Sequence, residues 1–522
     1  MRMQTTRRGF LTGAAASGAA LVVGYSPSGA LAAGPESAQI NPFVKIADDG
    51  TLTVVLKHFE MGEGTTTGLT TLVAEEMDAD WETIAFEFAP ANDKLYANLL
   101  FGAQGTGGST SMANSYMQYR KAGAGARAVL VQAAAQEWGV DPSAITVEKG
   151  VLKAGGKSAP YGDFAAAAAK LTPPEEPAVK DPSTFTLIGN PDLPRKDNSG
   201  KTDGSAIFAM DVRLPDMVYA VLLRAPKFGG KLKNFDASGA RDVQGFIDAK
   251  ALKNGAGVAV YGKTTWAAID ARGKITADWD FADAETRSTD KIIAEHKALL
   301  DDPMFEAREG VTRADSTAAI KRAAKTVEAE FLLPHLAHAP MEPENCTIEP
   351  TESGVKIYDG CQFPSLTKPY VAKTLGLKPE QVEVVTVYAG GSFGRRANTD
   401  ADYNVEAALA FAALGGDRPV KLVWTREDDV KGGYYRPMAA HRATIGLDDA
   451  GNIVGWDHRT ATQPIMKGTA MGSGKDVDES SVEGLNDTPY ALPAFSVGLS
   501  DWTSVMPVLW WRSVGHSHTA YA

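Results

Sequence analysis

Cysteine is nearly missing from this chain: Cys346 and Cys361 are the only two in 522 residues. An iron–sulfur cluster takes four thiolate ligands, so the chain cannot hold one of its own. The plain reading of the pair is two buried thiols. Basic charge is also short. Lys and Arg number 52 against 64 Asp and Glu, a net charge of −12. That balance argues against a nucleic-acid partner, because phosphate backbones are met by basic patches. After the first 23 residues no stretch is long and apolar enough to span a membrane. No repeat of solenoid or propeller period recurs. The histidine pairs lack the company a metal site needs. His335-x-x-His338 has neither the glutamate of HExxH nor a third ligand, and His516-x-His518 is no better placed.

What is present is ordinary globular composition, 44% hydrophobic and 22% charged, over a length that predicts three or four domains. The first residues differ from the rest. Thr6-Arg7-Arg8-Gly9-Phe10-Leu11 matches a twin-arginine export signal. A Gly/Ala-rich apolar run from Leu11 to Val23 follows, and Ala30-Leu31-Ala32 offers a cleavage site. We therefore expect a signal peptide over 1–33 and a periplasmic mature protein. The twin-arginine route carries folded proteins, which suits one loaded with a cofactor before export.

Three glycine-rich stretches follow. Thr51 to Lys57 alternates as a strand, and Leu69 to Met77 reads as a helix. Gly62-Glu63-Gly64 lies between them. The spacing Gly62, Gly64, Gly68 is not GxGxxG, so a dinucleotide fold fits poorly. Gly102 to Ser111 reads GAQGTGGSTS. Amides around Gly107 and Gly108, with the hydroxyls of Ser109, Thr110 and Ser111, make a candidate pyrophosphate cradle. A long Ala-rich helix is predicted from about Met112 to Trp138. In the third stretch, Gln381 to Tyr388 predicts a strand that runs into Gly390-Gly391-Ser392-Phe393-Gly394. Glycines there let the backbone turn sharply and bring N–H groups toward an anionic or oxo ligand. Val405, Ala408, Leu409 and Ala412 then repeat at helical spacing. Thr399 and Asp402 ahead of them form a capping-box-like pair, and Gly415-Gly416 stops the helix.

Between these stretches, Leu171 to Gly200 is dense in proline and polar residues and reads as an exposed linker. Phe208 to Val221 predicts a hairpin turning at Leu214 to Met217. Gly257 to Tyr261 predicts a strand, with a helix starting at Thr264. Asp283 to Arg313 is charged and aperiodic, a traverse between domains.

An amide followed by an aromatic (Gln362-Phe363), a short helix, a strand and GG-x-F-G resembles the molybdenum-cofactor subunit of the xanthine oxidase family. The Gly394-Arg395-Arg396 ending and Trp510-Trp511-Arg512-Ser513-Val514-Gly515 are similar to the branch of isoquinoline 1-oxidoreductase and exported aldehyde dehydrogenases. The resemblance runs from about Ile40 to the end. It implies an α+β fold with molybdopterin-binding parts in permuted order, over 34–170 and 315–522. An α/β-hammerhead-like domain is inserted at 201–290, behind a linker at 171–200. It implies molybdopterin, in its cytosine dinucleotide form, with molybdenum held by the pterin and not by protein ligands. The cofactor contacts it implies are Gly62, Glu63, Gly64, Gly107, Gly108, Ser109, Thr110, Ser111, Gln362, Gly390, Gly391, Ser392, Phe393, Gly394, Trp511 and Arg512.

The implied reaction is oxidation of an aldehyde or N-heteroaromatic substrate with water as the oxygen source. Electrons would pass to a separate [2Fe–2S] subunit and on to a cytochrome c subunit. Three departures qualify this. Glu63 stands where the family usually has Gln, and Ala397 stands where xanthine oxidase has a purine-reading glutamate. The family's catalytic glutamate would lie beyond Ala522, so no catalytic residue is identified within the sequence and the chain reads as C-terminally incomplete. A truncated, non-catalytic cofactor-binding or scaffold protein is the alternative. A quinone-cofactor dehydrogenase is a third reading, disfavoured by the lack of a tryptophan-bearing blade pattern.

Overall fold

The computed structural model describes residues 23–25, 31–33, 37–469 and 471–522. The expected signal segment falls almost wholly outside the described residues. The chain divides into two compact units. The first holds the chain up to Met217, then Asn345–Gly391 and Asp400–Lys421. The second holds Val218–Glu344, Ser392–Thr399 and Leu422–Ala522.

In the first unit, strands Ser37–Asn41, Val44–Ala47 and Leu52–Leu56 pair antiparallel, and Leu52–Leu56 pairs parallel with Ala85–Phe88. A parallel pair needs a crossover, and the helix Thr65–Glu76 supplies it. The long helix Tyr116–Trp138 lies against it closely: a Cβ on Gly123 would stand 3.0 Å from the Val73 carbonyl oxygen. Val44, Ile46, Val54, Leu69, Val73 and Leu130 form the core between sheet and helices. The predicted helix from Met112 is interrupted. A short turn, Thr110–Ala113, precedes the long helix, and buried Ser115 is the residue at which the long helix begins. Later in the unit, Asn345–Pro350 pairs antiparallel with Val355–Asp359, which pairs parallel with Val382–Thr386. The helix Pro364–Leu375 makes that crossover.

The segment read as a linker has little regular structure, yet it is pinned. Glu75 Oε2 accepts the amides of Thr186, Leu187 and Ile188 at 2.9, 2.7 and 3.1 Å. Burial works upward on the Glu75 carboxyl. The three amides and Lys180 outweigh it and hold the group below the usual carboxylate range. Glu76 takes Arg120 Nε at 2.7 Å and the Lys180 amide at 2.8 Å.

In the second unit, Val218–Arg224 and Phe246–Ala251 flank Gly257–Gly262, all antiparallel, and Thr264 caps the helix Thr265–Arg272 as expected. A five-stranded sheet runs in the order Phe305–Glu306, Phe495–Asp501, Ile453–Thr462, Ala439–Leu447, Lys325–Leu333.

Three local expectations need correction. The hairpin at 208–221 does not form. Ala209–Asp211 is a 3-10 turn closed by the Asp211 carboxylate on the Phe208 amide, and only Val218–Arg224 is a strand. The capping pair ahead of Asp402–Ala413 is not used; Ala401 enters the helix in a left-handed step at φ 53 with no side-chain cap. The stretch Asp283 to Arg313 contains the helix Thr289–Leu299, capped by the Ser288 side chain. Its buried stripe passes through His296, a polar residue that hides the helical period.

Candidate functional site

The strand Leu52–Leu56 delivers Lys57, His58, Phe59 and Glu60 into the protein interior. Glu60 organises the turn behind it. Its Oε1 accepts the amides of Gly62 and Gly64 at 2.7 and 3.0 Å. Its Oε2 accepts the Thr66 amide at 3.1 Å and the hydroxyls of Thr65 and Thr66 at 3.3 and 3.0 Å. These are the donors that a helix N-terminus would offer an external anion; here a side chain of the same turn fills them. Glu63 stands at the rim and accepts the Met61 amide at 2.8 Å. Desolvation and the neighbouring Glu60 push its carboxyl up to about 7. The residue is exposed by area, so only part of that desolvation acts, and the upward direction rests on Glu60 as well.

The second turn is built differently. Asn98 Nδ2 reaches the Thr110 hydroxyl at 2.6 Å and the Gly105 carbonyl at 3.2 Å. Thr110 Oγ1 donates to the Gly107 carbonyl at 2.6 Å. Gly108 and Ser109 take successive left-handed steps, φ 58 and 56. Among the described residues, the amides of Gly107, Gly108 and Ser109 donate to no acceptor. Open backbone amides in a tight turn are candidates for binding an anion. Phe101 lies beside it and stacks on Phe363 at 5.7 Å. Gly105 runs directly under that partner: a Cβ there would meet the Phe363 ring at 2.3 Å.

Thr106 ties the segments together. Its amide donates to the Gln362 carbonyl at 2.9 Å, and Gln362 Nε2 donates to the Thr106 carbonyl at 2.7 Å. Its hydroxyl accepts the Phe59 amide at 3.3 Å and meets His58 Nδ1 at 3.2 Å. Burial, and then Lys57, push His58 down to about 3, so its ring is neutral. The Ala389 amide donates to the Glu60 carbonyl at 3.2 Å, which brings Gly390 and Gly391 up to the first turn. Gly62 to Gly64, Gly107 to Ser111, Gln362 and Gly390-Gly391 are thus gathered within one unit.

The remaining expected residues lie in the second unit, whose boundary falls between Gly391 and Ser392. The Ser392 carbonyl accepts the Arg395 amide and its hydroxyl accepts the Arg396 amide. Phe393 and Gly394 both have positive φ, 56 and 102. A Cβ on Gly394 would stand 2.3 Å from the Trp510 carbonyl oxygen, so glycine alone fits. The Arg512 amide donates to the Phe393 carbonyl at 2.9 Å. Trp511 carries a buried Nε1 with no hydrogen-bond partner among the described residues. Behind the loop, Arg396 is buried between Glu342 and Glu344, at 3.3 and 3.5 Å. Arg395 lies over the rings of Trp424 and Tyr434.

Among the described residues no group of three His, Cys, Asp or Glu side chains is arranged to hold a metal. His338 sits between the carbonyls of Tyr434 and Trp510, at 3.2 and 3.0 Å. His518 is buried, and burial pushes it down to about 3. Cys346 and Cys361 are buried and form no disulfide with each other. The sequence reading passed over Glu60, Asn98, Phe101, Gly105 and Thr106. An acid two residues before a glycine turn, with Thr-Thr opening the next helix, is the signal that could have found Glu60.

Two models of a molybdopterin cofactor-binding domain match this chain, one over residues 3–213 and the other over 301–522. The beta subunit of isoquinoline 1-oxidoreductase from Brevundimonas diminuta is 31% identical over 499 residues, covering 85% of this chain and 62% of that protein. The membrane-bound aldehyde dehydrogenase of Gluconacetobacter polyoxogenes, whose name carries pyrroloquinoline-quinone, is 30% identical over 475 residues, covering 87% and 59%. A nicotinate dehydrogenase subunit of Pseudomonas putida is 24% identical over 534 residues, covering 95% and 42%. The chain spans at most 62% of the length of these curated relatives.

Proposed function

The chain belongs to the molybdenum hydroxylase (xanthine oxidase) family, which it matches through two molybdopterin cofactor-binding domains, and on that premise we propose that it is the cofactor-bearing large subunit of an oxidoreductase for aldehydes or N-heteroaromatic compounds. The observation that carries this reading is the run Gly107–Ser109, whose three amides meet no acceptor among the described residues. Open amides in such a turn suit the phosphate groups of a pterin nucleotide. Gly105, which a Cβ would drive into the Phe363 ring, supports a backbone kept close to its surroundings on purpose.

When bound, the molybdenum–pterin group supplies two-electron redox chemistry with water as the oxygen source. The chain's own residues hold and orient it. Amides of Gly107, Gly108 and Ser109 would take the phosphates, and the exposed Ser109 hydroxyl stands beside them. Gln362, paired to Thr106, fixes the loop that carries them. Glu63, Gly390, Gly391, Ser392, Phe393, Gly394, Trp511 and Arg512 complete the proposed contacts. The finer assignments are a cytosine dinucleotide form, a small [2Fe–2S] subunit, a cytochrome c subunit that takes the electrons onward, and export to the periplasm. Two cysteines cannot ligate a cluster, which is why a separate electron carrier is part of the proposal.

Metal and pterin analysis of the purified chain tests the reading, with expression in cells that make the cofactor. Molybdenum and pterin are expected in equal amounts. Gly107→Val should lower both by crowding the amides, whereas Gly107→Ala should fold normally, because a Cβ there meets nothing closer than 3.9 Å. A wild-type chain with neither metal nor pterin would sink the proposal.

A further inference from the structure

The segment that reads as a linker ends in a charged strap over the first glycine turn. Trp81 Nε1 donates to the Pro194 carbonyl at 3.2 Å, and the Lys196 amide donates to Thr67 Oγ1 at 3.0 Å. The Lys196 ammonium lies over the Trp81 ring and donates to the Trp81 carbonyl. Between these anchors Arg195 grips Asp197 with two bonds, 3.0 and 2.8 Å, and Lys201 meets the same carboxylate at 2.5 Å. Burial works upward on Asp197, but Arg195 and Lys201 outweigh it and hold the group down at about 2. Both cations also face Glu60: Arg195 at 3.6 Å and Lys201 at 3.8 Å from Oε1, the oxygen that holds the Gly62 and Gly64 amides. A Cβ on Gly64 would stand 3.7 Å from Arg195 Nη1. Lys201 further lies over the Tyr388 ring at 5.2 Å, two residues before Gly390.

We infer that residues 194–201 are a positioning strap in which Arg195 and Lys201 fix the Gly62–Gly64 turn, and the Tyr388 end of the third glycine loop, by balancing the buried carboxylates of Glu60 and Asp197. The physical case is one of compensation. Two fully buried carboxylates, side chains with 0% exposure, share the same two cations. A buried charge is costly without partners. Amides and threonine hydroxyls serve Glu60, and the strap supplies the only cations shared by both groups among the described residues. Removing the two cations leaves both buried carboxylates without their shared counter-charge. The part of the inference that concerns cofactor retention rests on the proposed function; the fixing of the turn does not.

The experiment is amide hydrogen exchange on the whole chain, paired with pterin and molybdenum content. In Arg195→Gln/Lys201→Gln, the amides at 61–66 should exchange at least about tenfold faster, with those of Tyr116–Trp138 unchanged, because local opening is separable from global unfolding. Cofactor content should fall several-fold. The charge-conserving pair Arg195→Lys/Lys201→Arg should restore both. Should the double variant fold poorly, Lys201→Gln alone, which keeps the two-bond Arg195–Asp197 pair, should show a smaller rise at the same amides. Unchanged exchange at 61–66, or a rise spread equally over the first unit, would overturn the strap. A wild-type chain without pterin that still shows the local response would sink the proposed function and keep the strap.

Discussion

The two glycine turns of the first unit have similar composition and opposite wiring. At Gly62–Gly64 the amides converge on Glu60, a carboxylate of the same turn. At Gly107–Ser109 they converge on nothing among the described residues. Glycine sets what the backbone can do in both places, through φ values of 118 and 93 in the first turn and 58 at Gly108. What decides whether the turn is an anion site is the nearest internal acceptor. The first turn is therefore a brace already filled from within, and the second is the turn whose backbone amides stay open for the phosphate contact proposed above.

The sharpest way to break this contrast is to empty the filled turn. Glu60→Ala strips the acceptor from three amides and two hydroxyls and leaves Arg195 and Lys201 facing no carboxylate there. Breaking a buried charged cluster on one side typically costs about 3–5 kcal/mol, and a urea melt should show a loss of that order. Next, Gly105→Ala drives a Cβ into the Phe363 ring. Overpacking of this kind costs about 1–3 kcal/mol, with cofactor content falling as the second turn shifts.

A smaller effect is expected at the rim. The Glu63 carboxyl is pushed up to about 7 from an ordinary 4.5, so the folded state binds the proton more tightly than the unfolded state. Stability should then fall as pH rises between those values and level off above the upper one. Glu63→Gln should flatten that slope between about pH 4.5 and 7, read as the urea midpoint at each pH. The smallest change is Ser109→Gly. It relieves a left-handed serine at φ 56 and should stabilise by up to about 1 kcal/mol. Pterin content should stay unchanged, because the contacts proposed at that turn come from backbone amides.

Much of the fold was legible because its signals are local. The strand before Lys57, the helix after it, the helix start at Thr264 and the Gly415-Gly416 stop all depend on residues within one turn of each other. The misreadings depend on contacts that a local pattern does not carry. Phe208 to Val212 alternates like a strand, but Asp211 turns back onto the Phe208 amide and no ladder forms. Ala401 takes a left-handed step, so the apparent Thr399–Asp402 cap is bypassed. The linker was legible as irregular chain and illegible as a pinned one. Glu75 and Glu76, more than a hundred residues earlier, capture its amides. The site shows the same division. The glycine turn at Gly107 was readable as a turn, while the role of Glu60 needed the fold.

Residue-resolved hydrogen exchange on the chain with and without pterin nucleotide tests the contrast most directly. The account predicts that the amides of Gly62, Gly64 and Thr66 are already slow in the unloaded chain. Gly107, Gly108 and Ser109 should exchange fast there and become protected on loading. Fast exchange at 62–66 that slows on loading, with 107–109 unchanged, would contradict it.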